Sequence, residues 1–296
     1  MNTVAFVVPD RVQLLDVAGP AQVFSTLRDL TGEPSTIVYV GEQQTVQSKQ
    51  GLPVNVSTDW PGLTPDDLLI IPGFAATAHP LNNSLLASIA AHHAAGGTIA
   101  SICAGAFIVA EAGLLDGRRA TTHHDLQDIL GARYPHVHVV RDVLFVGGQG
   151  IYTSAGIASG IDLSLHLVEQ HFGARIAARI ARTMVVYARR NGNMEQHSVM
   201  LRYRDHCDDL VHRIQDFLND HFAQSFTLAD LARRGNVSER TLSRSFMKNI
   251  GLTPSQYQRA VRLEHAELLV AQGATMEQAA RQVGFADARS LRKHRA

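Results

Sequence analysis

Apolar residues in the first two thirds of the chain gather into short continuous runs, separated by stretches with helical spacing. Residues 4–8, 36–40, 68–71 and 98–103 are four such runs, rich in Val, Ile and Leu. Helical patterns occupy 17–30, 85–95 and 106–115 between them. Fully apolar strands alternating with helices predict a mainly parallel sheet covered on both faces. The interval 43–59, containing Gly51 and Pro53, reads as an irregular or hairpin insertion. Residues 137–154 read as paired strands around the turn Gly147-Gly-Gln-Gly150.

From Ile157 onward the pattern turns helical. Ile157, Ile161, Leu165, Val168 and Phe172 recur at spacings of three and four, and Gly173 supplies a stop. A further helix is expected over 174–190. The polar, glycine-containing interval 191–207 reads as a linker, which divides the chain into 1–190 and an all-helical segment 208–296.

Within that last segment the pattern repeats. Leu228, Leu231 and Ala232 form the inner face of one helix, Gly235-Asn236 a turn, and Val237 a corner plug. Ser238 caps a second helix whose inward residues are Leu242 and Phe246. Arg240 and Arg244 stand two residues away, about 200° round the helix, and point outward. Met276-Glu-Gln-Ala-Ala-Arg-Gln-Val-Gly-Phe285 repeats the first helix and turn; Asp287 takes the cap, Leu291 the inward place, and Arg289 and Lys293 flank it. Between the copies Leu263, Ala266 and Val270 sit at helical spacing on a connecting helix. Outward bases near a helix N-terminus can reach guanine edges or phosphates in the major groove. The predicted contacts to double-stranded DNA are Arg240, Thr241, Ser243, Arg244, Lys248, Arg289 and Lys293.

Charge sharpens this division. The 296 residues carry 27 basic and 27 acidic side chains, a net of zero. Residues 1–200 hold 12 Lys/Arg against 16 Asp/Glu, whereas 221–296 hold 12 against 6. An acidic body joined to a basic module suggests that the module meets a polyanion. An apolar share of 45% is that of a folded protein and excludes disorder and low-complexity classes. Two cysteines, Cys103 and Cys207, cannot make a disulfide framework, so a reducing compartment is expected. The first residues lack the pattern of a signal peptide, and no window approaches a membrane span, so the expected location is the cytoplasm.

Candidate chemistry centres on Ala100-Ser-Ile-Cys-Ala-Gly-Ala106. An apolar strand there runs into a glycine-containing helix start, which predicts Cys103 on a sharp, exposed turn near helical N–H groups that favour thiolate. The pairs His92-His93, His123-His124 and His136-Val-His138 invite a metal reading. Only His136 and His138 are expected to share a strand face, with no carboxylate or cysteine at ligand spacing, so no metal is expected. No cofactor is expected either, and Cys207, beside Asp208 and Asp209, reads as inert.

Two resemblances follow. Residues 208–295 resemble the AraC/XylS-type DNA-binding domain, including Gly251-Leu-Thr-Pro-Ser-Gln-Tyr257 and Val283-Gly-Phe285. The resemblance implies two recognition helices entering successive major grooves. Against that pattern, Arg295 stands where Phe246 stands in the first copy and no closing helix follows, which predicts a weakened second reader. Most of 1–190 resembles the ThiJ/PfpI superfamily, through Leu15-Asp-Val-Ala-Gly-Pro20, Ile71-Pro-Gly73, the Cys103 elbow and Ala120-Thr-Thr-His123. This implies a flavodoxin-like sandwich. It also implies a site of Asp16 against the cysteine, Gly73 as an oxyanion donor, and His123 nearby as a proton carrier. The protease-like branch has a histidine directly after the cysteine and the isonitrile-hydratase-like branch a threonine, whereas this chain has Ala104. The order of the two domains resembles the GlxA-type regulators. That implies a homodimeric transcription factor with a small, nitrogenous effector bound by Asp16, Gly73, Cys103, Ala104 and His123. The alternatives are a cysteine-dependent hydratase, amidase or deglycase using Cys103, Asp16 and His123, with a relic DNA-binding domain, and a regulator that binds ligand but not DNA.

Overall fold

The computed structural model describes residues 2–32, 36–75, 81–156, 158–186, 192, 196, 199–271 and 273–295. The chain separates into two units, Met1–Gln196 and His197–Ala296.

In the first unit, strand β1 (Thr3–Val7) leads into helix α1 (Leu14–Thr31) and strand β2 (Thr36–Val40). Next come β3 (Thr45–Gln47), β4 (Pro53–Asn55), β5 (Leu68–Ile71), α2 (Asn83–Ala94), β6 (Thr98–Ile102) and α3 (Gly105–Glu111). Then follow β7 (Arg119–Ala120), a 3-10 turn (His124–Leu126), α4 (Gln127–Arg133), β8 (His138–Val139), β9 (Phe145–Gly148), β10 (Ile151–Ser154), α5 (Ser159–Phe172) and α6 (Ala174–Thr183). The main sheet has the order β2-β1-β5-β6-β10-β9, parallel except for β9, which folds back antiparallel on β10. The interval 43–59 holds the antiparallel hairpin β3–β4.

Alternation along the strands divides the core in two. Val4, Phe6, Leu68, Ile70 and Ile102 face α1, α5 and α6, while Ala5, Val7, Leu69, Ile71 and Ile99 face α2 and α3. Both faces are dry, which is why these strands read as continuous apolar runs rather than alternating ones. Helix α5 starts at Ser159. Ile157 and 187–190, expected to be helical, lie outside the described residues.

The second unit is helical throughout: α7 (Val199–Arg202), α8 (Asp209–Asp220), α9 (Leu228–Gly235), α10 (Glu239–Ile250), α11 (Pro254–Ala271), α12 (Met276–Gln282) and α13 (Ala288–Arg295). The expected linker is not one stretch. Gln196 donates to the carbonyls of Thr122 and Val143 in the first unit, whereas Val199 is buried in the second and donates its amide to Glu264. Among the described residues, no helix is long and apolar enough to cross a membrane.

One side chain is expected to make the second unit acid-sensitive. His265 on α11 lies flat on Phe222, with ring centroids 4.0 Å apart, and burial pushes its pKa below the ordinary value. The unfolded chain therefore takes up this proton at a higher pH than the folded one. The resulting stability is present above about pH 6.5 and is lost as pH falls through the folded value. Protection of the Pro254–Ala271 amides, measured against the intrinsic exchange rate at each pH, is expected to fall between pH 7.5 and 5.5, and a His265→Phe variant to lose that dependence; equal acid sensitivity in both would remove His265 as the cause.

Candidate functional site

Five loops leave the sheet at the carboxyl ends of its parallel strands, where open α/β sheets place their ligands. The strand order reverses direction between β1 and β5, and the residues following those two strands are Asp16 and Gly73. They meet: the Gly73 amide donates to Asp16 Oδ2 at 3.0 Å, with Asp16 wholly buried in the first turn of α1. Gly73 was expected to offer a free amide to an oxyanion. In this structure the carboxylate has that donor.

Cys103 follows β6 and adopts φ +54°, a left-handed conformation that costs an L-residue roughly 1–2 kcal/mol. Surrounding bonds over-determine it. Its amide donates to the Ser154 carbonyl at 3.0 Å, and its own carbonyl accepts from Thr122 Oγ1 at 2.7 Å. Gly73 and Gly156 close on it from two sides; a methyl at either would come within 2.7 or 2.2 Å of Cys103 Cβ, so neither tolerates a side chain. The sharp turn is therefore present, but the expected exposure is not. Only 7% of Cys103 is accessible, and burial, reinforced by the Asp16 carboxylate, pushes its thiol up to about 12. The Ala104 amide, at the start of α3, pulls the other way and does not prevail. Cys103 is thus a neutral thiol at physiological pH, not a polarised one.

This has a measurable consequence. At pH 8 about one thiol in 10⁴ with a pKa of about 12 is ionised, against roughly a quarter for an ordinary exposed cysteine. Cys207 is exposed. Iodoacetamide at pH 8, followed peptide by peptide in a mass spectrometer, is expected to modify Cys103 about a thousandfold more slowly than free N-acetylcysteine in the same tube. Comparable labelling of the two would contradict the burial.

His123 caps the 3-10 turn. Its Nδ1 accepts from the Asp125 amide at 3.4 Å, its ring lies 4.1 Å from that of His124, and Asp125 Oδ2 is 3.6 Å from Nδ1. Its segment reaches the elbow through Thr122, whose hydroxyl holds the Cys103 carbonyl. Asp125 thus brings a carboxylate to one histidine pair, which the sequence reading passed over, while His136 and His138 do not share a strand because His136 precedes β8. Ala104 is buried and carries no base. Cavities of about 280 Å³ at Arg118, Arg119 and Gln149, and of about 510 Å³ beside Phe217 and Arg234, are lined by none of the five expected site residues.

The second unit presents a different surface. Ser238 caps α10 by accepting from the Thr241 amide at 3.1 Å, and Leu242 and Phe246 are fully buried beneath it. Arg240, Arg244 and Lys248 are exposed and make no salt bridge with a described residue. Thr241 and Ser243 are half-buried, and the Thr241 hydroxyl meets Ser238 Oγ at 2.9 Å. Lys248 lies in the last turn, where a cation complements the helix dipole. The turn before α10 passes through Asn236 in the left-handed region (φ 56°, ψ 42°), and the second copy passes through Gly284 at φ +85°. Both first helices are capped alike: Thr227 with Asp230, and Thr275 with Gln278, each a reciprocal capping box. The spacing Thr-x-x-Asp/Gln would have located both starts from sequence. Helix α13 is formed, with Leu291 buried and Arg289, Arg292 and Lys293 exposed; the side chain of Arg295 lies outside the described residues.

Two residues were missed because nothing local marks them. On α11, Arg262 donates to the carbonyls of Phe222 (2.6 Å), Gln224 (2.8 Å) and Gly284 (3.0 Å), and Gln258 adds bonds to the first two. Arg262 thus ties the approach to α9 to the turn of the second helix-turn-helix.

A flavodoxin-like unit with a cysteine elbow, followed by two helix-turn-helix copies, defines the class of protein. Residues 2–170 match the DJ-1/PfpI family and residues 231–295 a helix-turn-helix domain. The chain belongs to the DJ-1/PfpI family and carries a helix-turn-helix domain behind it. It is 31% identical over 228 residues to the HTH-type transcriptional regulator CdhR of Pseudomonas aeruginosa, covering 77% of this chain and 67% of that protein. It is 31% identical over 190 residues to the isonitrile hydratase of Pseudomonas putida, covering 62% of this chain and 78% of the enzyme. The crystal structure of an AraC family transcriptional regulator from Pseudomonas putida has the same fold, with a TM-score of 0.56 at 19% identity, over 62% of this chain and 100% of that one.

Proposed function

We propose that this chain is a DNA-binding transcriptional regulator that works as a homodimer and answers to a small, nitrogenous metabolite bound in its first unit. The observation that carries the reading is α10: a capped helix, buried on Leu242 and Phe246, that presents Arg240, Arg244 and Lys248 to solvent. Exposed bases on the second helix of a helix-turn-helix suit a major groove. Arg289 and Lys293 on α13 offer a second such surface, half-buried Thr241 and Ser243 lying at the edge of the first.

On the ligand side, Asp16, Gly73, Cys103 and Ala104 lie beyond the carboxyl ends of β1, β5 and β6, and His123 is linked to them through Thr122, whose hydroxyl holds the Cys103 carbonyl. Asp16 is wholly buried under Gly73, so a cationic nitrogen that reaches it would do so by displacing Gly73 and the start of the loop after β5. Differential binding to two arrangements of that loop is what a sensor needs. The test is binding of the full chain to DNA flanking its own gene, at two salt concentrations, with and without amino acids and quaternary amines. Affinity should fall steeply with salt, because phosphate neutralisation releases counterions. Absent or salt-insensitive binding would sink the reading.

The similarity to isonitrile hydratase favours a second reading, a cysteine-dependent enzyme. Against it, Ala104 supplies no base, the Cys103 thiol is neutral, and the Gly73 donor is occupied. A Cys103→Ser variant separates the two: unchanged DNA binding and ligand response are expected from a regulator, their loss from one that depends on covalent chemistry.

A further inference from the structure

In the segment tied to the elbow by Thr122, three consecutive residues bring two imidazoles and a carboxylate within reach of one another. His124 Nε2 lies 3.3 Å from Asp125 Oδ1, and His123 Nδ1 lies 3.6 Å from Asp125 Oδ2. All three ligand atoms fall within 4.8 Å of one another. An ion held at 2.0–2.2 Å by nitrogen and oxygen in tetrahedral geometry needs ligand separations of roughly 3.3–3.5 Å. The two measured separations, made to different oxygens of Asp125, lie close to that requirement, and a rotation of the carboxylate presents one oxygen to both nitrogens.

We propose that His123, His124 and Asp125 form a binding site for one divalent transition ion of the Zn²⁺ type, with a fourth position open to an outside ligand. Two nitrogen donors with one carboxylate suit Zn²⁺, Ni²⁺ or Cu²⁺ and disfavour Mg²⁺ and Ca²⁺, which take oxygen shells. His123 Nδ1 accepts a long bond from the Asp125 amide, so that nitrogen carries a lone pair, and binding an ion there exchanges this 3.4 Å contact. The side chains are open to solvent by 26% at His123, 36% at His124 and 75% at Asp125, so an ion can enter without unfolding the segment.

The framework beneath is rigid, which distinguishes this cluster from histidines on a loose loop. Thr121 and Thr122 are fully buried. The Thr121 amide donates to Thr153 Oγ1 at 2.8 Å, the Thr122 hydroxyl to Cys103 at 2.7 Å, and the Thr122 carbonyl accepts from Gln127 at 3.3 Å and Gln196 at 3.0 Å. The chain is therefore fixed immediately before the first ligand, and little ordering is left for the metal to impose. The site shares His123 with the proposed effector site, but zinc binding by the chain is measured without DNA or effector, so the two readings succeed or fail separately.

Calorimetric titration of the chelator-stripped full chain with ZnCl₂ tests it. One equivalent is expected to bind, weakened at least tenfold by His124→Gln and by Asp125→Asn, and unchanged by His138→Gln. Cobalt gives a second readout on the native chain, expected to show the intense visible bands of a four-coordinate ion. Absence of saturable zinc binding, equal binding in the His124 and Asp125 variants, or only the weak bands of six-coordinate cobalt would overturn the proposal.

Discussion

Replacing Arg240 and Arg244 together with alanine is expected to abolish tight operator binding while leaving the fold intact. Each guanidinium, placed bidentate on a guanine or against a phosphate, contributes roughly 1–3 kcal/mol, so the pair is worth at least about thirtyfold in affinity. The slope of log affinity against log salt is expected to shrink by one to two as the lost phosphate contacts no longer release counterions. Stability should change by less than about 0.5 kcal/mol, because both side chains are exposed and the residues that anchor α10, Leu242 and Phe246, are untouched. Fluorescence anisotropy with a labelled operator, beside thermal melting, measures both quantities. Retained affinity in the double variant would move the DNA-reading surface away from α10.

The second large effect is expected at Arg262. Its guanidinium satisfies the carbonyls of Phe222, Gln224 and Gly284 at once, and Gly284 lies against Ala223 so closely that a Cβ would sit 2.1 Å from the Ala223 oxygen. Hydrogen bonds from a charged donor are worth about 1.5–3 kcal/mol each, less when they share one side chain. An Arg262→Ala variant is therefore expected to lose about 3 kcal/mol and to leave the second helix-turn-helix loosely held. Arg262→Lys should rescue little, because an ammonium cannot span three acceptors as a planar fork does. The specific signature is a footprint shortened at the end contacted by α13, with contacts from α10 preserved. A lysine variant with native footprint and stability would refute this positioning role.

These residues show where sequence and structure part. The strands β1, β5 and β6 were legible because burial on both faces makes them continuously apolar, and α5 and α10 because one buried face imposes helical spacing. The Cys103 turn was legible too, since a strand running into a glycine-rich helix start leaves little else for the chain to do. What that turn does to the thiol was not. Its ionisation depends on Asp16, 87 positions earlier in the chain, and on closure by Gly156, 53 positions later. Arg262 escaped notice for the same reason: its three acceptors lie between 22 and 40 residues away.

The sequence by itself determined the two-unit organisation, the order of strands and helices, the repeated helix-turn-helix and the exposed bases on it. All are consequences of local periodicity, capping and charge, which act over a few residues. Only the tertiary structure decided that Gly73 is engaged by Asp16 and that Cys103 is a buried neutral thiol. Desolvation and hydrogen-bond pairing are properties of what surrounds a group, and packing brings those surroundings from distant parts of the chain.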